Sequence, residues 1–336
     1  QANLAFHQCG TNVGDTCYIP LPEWILSIAN SGVGKDQLFY VDKHGHVDME
    51  YLSLGTGTVN MFGGGKWSSV DLYERFMRAF QSHYAAWIDG GDNGVIVSVE
   101  IGLGPAGELR YPSYQLQDNL WNFPGVGEFQ CYDKQMLRML NDSAYRAGHP
   151  EWGKAGPNNA GNYNSQPPYN IPFFAENNFD NWESDYGKFF LSWYSKQLVE
   201  HGDRIMARAH SIFVQARRNS TTTLNGSAAA VPPVLAAKIA GIHWWYNSRS
   251  HAAELTAGYY NTDKYDGYRD IAQMLKKYDA EFAFTCLEML DQNLHGCDCS
   301  AQKLVTQTRN AAWSAGLRYS GENALPIYNS AQGYDQ

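Results

Sequence analysis

The sequence predicts an α/β fold of the parallel-barrel type, (β/α)8, with about five of its eight strands present. Three observations predict it. Apolar, strand-like runs alternate with amphipathic helical stretches along all 336 residues. Polar and charged residues gather just past the ends of those runs, where a barrel carries its catalytic rim. The chain has neither the glycine fingerprint of a dinucleotide-binding sheet nor a P-loop. One barrel domain, residues 1–336, accommodates the pattern.

Residues 3–9 read as the first strand, and the polar, glycine-flanked stretch Gly10-Thr11-Asn12-Val13-Gly14-Asp15 follows as a loop able to cover a ligand. His7 and Asp15 flank that loop; alone, each also fits an ordinary core histidine and a turn aspartate. Ser68-Ser69-Val70-Asp71 opens a helix with a capping-box pattern. Tyr73, Phe76, Met77, Phe80, Tyr84 and Trp87 recur at helical spacing and are expected to face a core. After the turn at Gly90-Gly91-Asp92-Asn93, the apolar run Val95–Ile101 reads as a buried second strand. Gly102, Gly104, Pro105 and Gly107 break it, and Glu108, Arg110, Tyr111 and Tyr114 follow at once. Glu108 is the first candidate for chemistry. Glu100, within the strand, is a rival carboxylate, although a charge below the rim also fits a paired internal network.

Residues 115–185 form a long excursion rich in Gly, Pro, Asn and aromatics, expected to be an ordered, packed loop. Lys188 to Phe213 is an amphipathic helix whose apolar face carries Phe189, Phe190, Trp193, Tyr194, Leu198, Ile205 and Phe213. Asn219–Pro233 is a low-complexity connection containing sequons at Asn219 and Asn225. Val234–Ile242 is the third strand; it carries Lys238 and ends in His243-Trp244-Trp245-Tyr246. A lysine within a buried strand needs a partner or a function. The spacing from Lys238 to His243 puts them on opposite faces unless the strand ends between them. Tyr268, Ile271, Leu275 and Tyr278 mark a helix, and Phe282–Glu288 reads as the fourth strand and its exit. Ser300 caps a helix running through Trp313, and Leu317–Ser320 is the fifth strand. Glu322 follows it beside a glycine, as Glu108 follows the second. Five strands do not close an eight-stranded barrel.

The net charge of -9 argues against a nucleic-acid or anionic-membrane surface, and no apolar run reaches the length of a membrane span. Aromatics at 14% suit stacking on sugar rings and equally suit a large aromatic core. Six cysteines in so long a chain are not a disulfide framework, and buried, reduced thiols are expected. His295-Gly296-Cys297-Asp298-Cys299 is spaced too tightly for the usual zinc pair, so a loop is expected and no metal. No Gly-x-Ser-x-Gly nucleophile motif occurs. The chain opens at Gln1 without a methionine or a basic leader.

Two rim carboxylates among tryptophans, tyrosines, an arginine and a lysine suit glycoside hydrolysis. One carboxyl must hold a proton for the leaving oxygen; the other must be ionised to activate water or attack the sugar carbon. A separation of about 6.5–9.5 Å inverts the anomeric centre, and one of about 5 Å retains it.

Several long words in the sequence then carry a resemblance. Phe6-His7-Gln8-Cys9 with Asn12-Val13-Gly14-Asp15, the stretch from Gly102 to Tyr114, Gly127–Lys134, Gly241–Tyr246 with His251–Tyr260, Phe284–Glu288 and Gly321–Pro326 together resemble the β-amylases, glycoside hydrolases of family 14. The resemblance spans nearly the whole chain. It implies a (β/α)8 barrel that releases maltose from the non-reducing ends of α-1,4-glucans such as starch, with inversion and without a cofactor. It implies Glu108 as general acid and Glu322 as general base, with His7, Asp15, Lys238, His243, Thr285, Asn323 and Ala324 around the sugars. It makes the 10–15 loop a mobile lid and places Thr285 in an inner loop. It also implies two strands before residue 1 and one after Gln336, so an internal fragment is expected. Thr11 stands where the family lid has glycine, and Ile327 where it has a basic residue. A monomer in a non-secreted compartment, cytoplasm or plastid, is expected, with no nucleic-acid or membrane partner. The other class of function is a catalytically inactive relative that binds and senses glucan; the presence of both glutamates and of Asp15 argues against it.

Overall fold

The computed structural model describes residues 1–4, 21–57, 59–61, 65–89, 94–116, 119–216 and 231–322. In chain order its strands are β1 (Ala2–Leu4), β2 (Phe39–Val41), β3 (Val47–Leu52), β4 (Val59–Met61), β5 (Gly65–Trp67), β6 (Ser98–Ile101), β7 (Val234–Ile239), β8 (Glu281–Phe284) and β9 (Tyr319–Gly321). The α-helices are α1 (Glu23–Ile28), α2 (Lys35–Leu38), α3 (Ser69–His83), α4 (Ala85–Asp89), α5 (Lys134–Arg146), α6 (Asp185–His210), α7 (Ala252–Thr256), α8 (Tyr268–Lys276) and α9 (Ala301–Ser314).

β1, β6, β7, β8 and β9 form one sheet in that order, and every pairing in it is parallel. At least one helix lies in each crossover. The order advances without reversal, as successive staves of a barrel do, whereas a doubly wound sheet reverses direction at its centre. The five strands are those the sequence predicts. The hairpins β2–β3 and β4–β5, antiparallel and inserted between β1 and β6, belong to a stretch without a sequence assignment. No helix among the described residues is long and apolar enough to cross a membrane.

Helix α3 begins as its capping box predicts: the Ser68 hydroxyl accepts from the Asp71 amide, and Asp71 accepts from the Ser68 amide. Tyr73 and Met77 are buried, but Trp87 is 57% exposed. The helical phase breaks at Tyr84, and the short helix α4 restarts it with Trp87 facing outward. The second strand is shorter than the apolar run implies. Val95 and Val97 are exposed, because pairing with β7 begins only where the Val234 amide reaches the Val97 carbonyl. The 115–185 excursion is packed, with Trp121, Phe129, Tyr163, Phe173, Phe174 and Trp182 buried. It also contains α5, capped by Asp133. Helix α6 starts at a Ser184 cap and buries Phe190, Trp193, Tyr194, Leu198 and Ile205. Ser300 stands at the start of α9, yet its hydroxyl donates to Asp291 rather than capping.

The cysteine expectation divides. Cys131 and Cys286 are free and buried, whereas Cys297 and Cys299 are joined in a disulfide, with Cα atoms 5.1 Å apart. Cys9, Cys17 and both sequons lie outside the described residues. No cluster that could hold a metal ion occurs among the described residues.

Helix α6 touches the Gly102–Gly107 turn through His201, whose Nε2–H donates to the Leu103 carbonyl at 2.8 Å. Burial lowers the His201 pKa from 6.5 to about 4, with Arg204 adding to the effect. The unfolded chain takes the proton near pH 6.5 and the folded chain only near 4, so acid favours unfolding. This contribution to stability is intact above pH 6.5 and falls by up to about 3 kcal/mol as pH drops to 4. His201→Gln retains a donor and should flatten this dependence in urea titrations compared at pH 7 and pH 4.5; an unchanged slope removes His201 as its source.

Candidate active site

Glu108 is positioned by the turn that ends β6. The Gly102 amide donates to the Leu4 carbonyl, and a 3-10 turn over Pro105–Gly107 then folds the chain back. Gly104 permits the return: a Cβ there would stand 2.7 Å from the Glu108 carbonyl oxygen and 3.0 Å from that of Arg110. The chain rejoins the sheet beside β7, where Glu108 bridges Lys238 in parallel register and the Leu109 amide donates to the Lys238 carbonyl at 2.9 Å. Glu108 is 3% exposed. Its Oε2 accepts from Arg110 Nε at 2.6 Å, and its Oε1 has no hydrogen bond among the described residues. Arg110 is fully buried, with its guanidinium 4.1 Å from the centre of the Tyr114 ring. Burial opposes its charge, but Tyr114 and Glu108 outweigh that and hold its pKa above the ordinary arginine value.

Glu322 approaches from the other side. β9 carries it past Gly321, and its amide donates to the Phe284 carbonyl at the end of β8. Lys238 Nζ pairs with Glu322 Oε1. The Glu322 side chain is 46% exposed and open to solvent; that of Lys238 is 13% exposed. Burial works against the Lys238 charge, but Glu108, Glu322 and Glu100 outweigh it and raise its pKa. In register, Lys238 lies beside Ala283, and Ala283 beside Ser320. Glu108 is one strand to one side of Lys238, and the strand carrying Glu322 is two to the other. At a spacing of about 4.8 Å per strand, the two backbones are about 14 Å apart. Lys238 stands on the strand between them and is acted on by both carboxylates.

Glu100 belongs to this charge set but stands lower on the sheet. It is 4% exposed and accepts from Asn3 Nδ2 at 2.7 Å and Gln1 Nε2 at 3.3 Å. Burial first, then the Glu322 charge, push its pKa up, with Lys238 opposing. The internal-network reading of Glu100 therefore holds.

Lys238 and His243 are not related by strand alternation, because β7 ends at Ile239. Beyond it, the Ala240 amide donates to the Tyr259 hydroxyl, and the Gly241 amide donates to Thr285 Oγ1 at 2.6 Å. His243 Nδ1–H donates to the Gly241 carbonyl at 3.0 Å. Gly241 thus joins His243 to Thr285 across the ends of β7 and β8. His243 Nε2 is buried without a partner among the described residues, and burial lowers the ring's pKa, so a neutral ring presents an acceptor. Beside it lies an aromatic wall. Trp244 packs on Tyr114, Trp121 and Phe123, and Phe123, 42% exposed, stands 6.2 Å from the His243 ring.

Among the sequence candidates, Glu108, Lys238 and Glu322 come together, and Thr285 and His243 meet through Gly241. His7, Asp15, Asn323 and Ala324 lie outside the described residues. Arg110 stood in the strand-end cluster that the sequence singled out, without a role of its own, and Gly241 and Phe123 were not sequence candidates for the site. Arg110 had a signal in its i+2 spacing from Glu108; Phe123 and Gly241 had none that separates them from a core aromatic and a turn glycine.

Gly241 yields a test. A Cβ there would fall 2.3 Å from Cys286 Sγ and 2.8 Å from the Thr285 carbonyl oxygen. Gly241→Ala should cost about 1–3 kcal/mol in chemical denaturation. A variant of unchanged stability would mean that the strand ends yield more than this packing allows.

The family model for Glycosyl hydrolase family 14 matches residues 1–336. The chain is 46% identical over 332 residues to "Beta-amylase 2, chloroplastic" of Oryza sativa subsp. japonica, covering 98% of this chain and 55% of that protein. It is 45% identical over 337 residues to "Beta-amylase 5" of Arabidopsis thaliana, covering 100% of this chain and 62% of that one. The chain therefore spans little more than half the length of these relatives. Among solved structures, it is similar to the catalytic domain of beta-amylase from Paenibacillus polymyxa, with a TM-score of 0.72 and 30% identity over 99% of this chain and 71% of that one.

Proposed function

The chain belongs to glycosyl hydrolase family 14, and on that premise we propose that the protein is an inverting, exo-acting hydrolase of α-1,4-glucans that releases maltose from non-reducing ends. The observation that carries the reading is the placement of Glu108 and Glu322 on opposite sides of Lys238 at the C-terminal ends of parallel strands.

Glu108 is the general acid. It is nearly enclosed, and the Arg110 hydrogen bond to Oε2 fixes the carboxyl while Oε1 faces the leaving oxygen. Glu322 is the general base. It is open to solvent and held by Lys238, so it polarises a water against the opposite face of the sugar. Inversion requires about 6.5–9.5 Å between the carboxyl groups. Carboxylates whose strands flank the lysine on both sides leave space for that water. Lys238 also offsets the mutual repulsion of the two acids. His243 Nε2 accepts a sugar hydroxyl, and Phe123 offers a ring face to the glucan. His7, Asp15, Thr285, Asn323 and Ala324 complete the proposed glucan contacts. The acidic balance of -9 supports a neutral polysaccharide as partner over nucleic acid or an anionic membrane, and we read the protein as a monomer.

Glu108→Gln and Glu322→Gln should each lower kcat on soluble starch by about 10²–10⁴-fold while glucan binding persists. Proton NMR of early product should show β-maltose. Near-normal turnover in either variant removes that residue from its role, α-maltose overturns inversion, and glucan bound without any product from the unsubstituted protein identifies a sensor instead of an enzyme.

A further inference from the structure

Away from the strand ends, a cleft of about 530 Å³ lies between the first turn of α3, the chain after β3, and the outer faces of α5 and α6. Ser69, Val70, Gly57, Arg138, Arg204 and Arg208 line it. We propose that this cleft binds a tetrahedral oxyanion, a phosphoryl group, at a site separate from the carboxylate pair.

Four features converge on that ligand. First, Ser69 is 1% exposed, and its hydroxyl has no hydrogen-bond partner among the described residues. A buried hydroxyl left unpaired is costly, and an acceptor seated in the cleft satisfies it. Second, the capping box at α3 occupies the amides of Ser68 and Asp71. Among the described residues the Ser69 and Val70 amides of this 15-residue helix have no hydrogen-bond partner, so they stand as donors at its positive end, beside the Asp71 carboxylate of the cap. Third, Arg208 is offset by Glu74 at 3.1 Å and Asp71 at 4.0 Å, but Arg138 and Arg204 pair with no carboxylate among the described residues. Fourth, the chain as a whole carries -9, so two uncompensated guanidinium groups on one cleft run against its overall charge. A neutral sugar leaves these charges unanswered. A dianion with oxygens in several directions meets two arginines, a helix start and a hydroxyl together.

The same chemistry is presented by free phosphate and by a phosphate ester on a sugar, so both are used as probes. Calorimetric titration of the purified protein with inorganic phosphate and with glucose 6-phosphate, at constant ionic strength set by chloride, should show saturable binding to at least one. Tighter binding of glucose 6-phosphate assigns the ester; tighter binding of inorganic phosphate assigns the free ion. Replacing both arginines, Arg138→Gln with Arg204→Gln, should weaken binding by about tenfold or more, and Ser69→Ala by a smaller factor. Both arginines are exposed, so the double variant should match the parent in circular dichroism and in phosphate-free unfolding temperature. No saturable heat from either probe, or equal affinity in the double variant, overturns the proposal.

Discussion

One ammonium group organises the site. Lys238 sits within a buried strand, where an unpaired charge is prohibitive, and the carboxylates of Glu108, Glu322 and Glu100 all act on it. Without Lys238, Glu322 and Glu100 would lose the cation that offsets their mutual repulsion, and Glu108 would keep only Arg110. Without those acids, a lysine in β7 would favour the neutral form. The parallel register makes the arrangement possible, because it brings the bridge at Glu108 and the strand carrying Glu322 to the same end of the sheet. Arg110 extends the same logic one step outward. It is a fully buried cation, and the carboxyl of Glu108 that it orients is its ion-pair partner among the described residues.

Such a charge set needs a rigid frame, and buried tyrosines supply much of it. Tyr111 stacks on Tyr194 with ring centres 3.9 Å apart and donates to the Tyr194 carbonyl. The Tyr194 hydroxyl accepts from the Gln130 amide and donates to the Thr256 carbonyl. One phenol on α6 thereby ties the excursion after β6 to the segment after β7. Tyr259 holds the exit of β7 through the Ala240 amide. Burial raises the pKa of each of these phenols, so they remain protonated and able to donate. The aromatic content is therefore in large part structural, and Phe123 is the exposed exception beside His243.

The segment after His243 is fixed by a second buried polar knot. Glu254, fully buried at the start of α7, accepts from the Tyr268 hydroxyl at 2.6 Å and from Asn261 Nδ2 at 3.0 Å, and lies 2.7 Å from His251 Nδ1. Fully satisfied networks of this kind hold one backbone arrangement, because any rearrangement leaves a buried polar group unpaired. On the surface, Arg249 reaches Glu176, Glu183 and Asp263 and fastens the outer edge of the long excursion to the same segment. The aromatic wall is thus held from beneath and from outside.

The sequence by itself determined the five parallel strands, the cap and start of α3, the course of α6, and both candidate carboxylates, because each is written in local periodicity or in a glycine break beside a charge. It misjudged Trp87, Val95 and Val97, whose exposure follows from where a helix breaks and where strand pairing begins, neither of which hydrophobicity encodes. It could not relate Lys238 to His243, since alternation applies only while a strand lasts, and β7 stops at Ile239. The links from Glu108 to Lys238 to Glu322, and from His243 through Gly241 to Thr285, were decided by tertiary structure alone. They depend on register between strands separated by long stretches of chain, and register is fixed by packing and backbone hydrogen bonds across the sheet, which no short window of sequence contains.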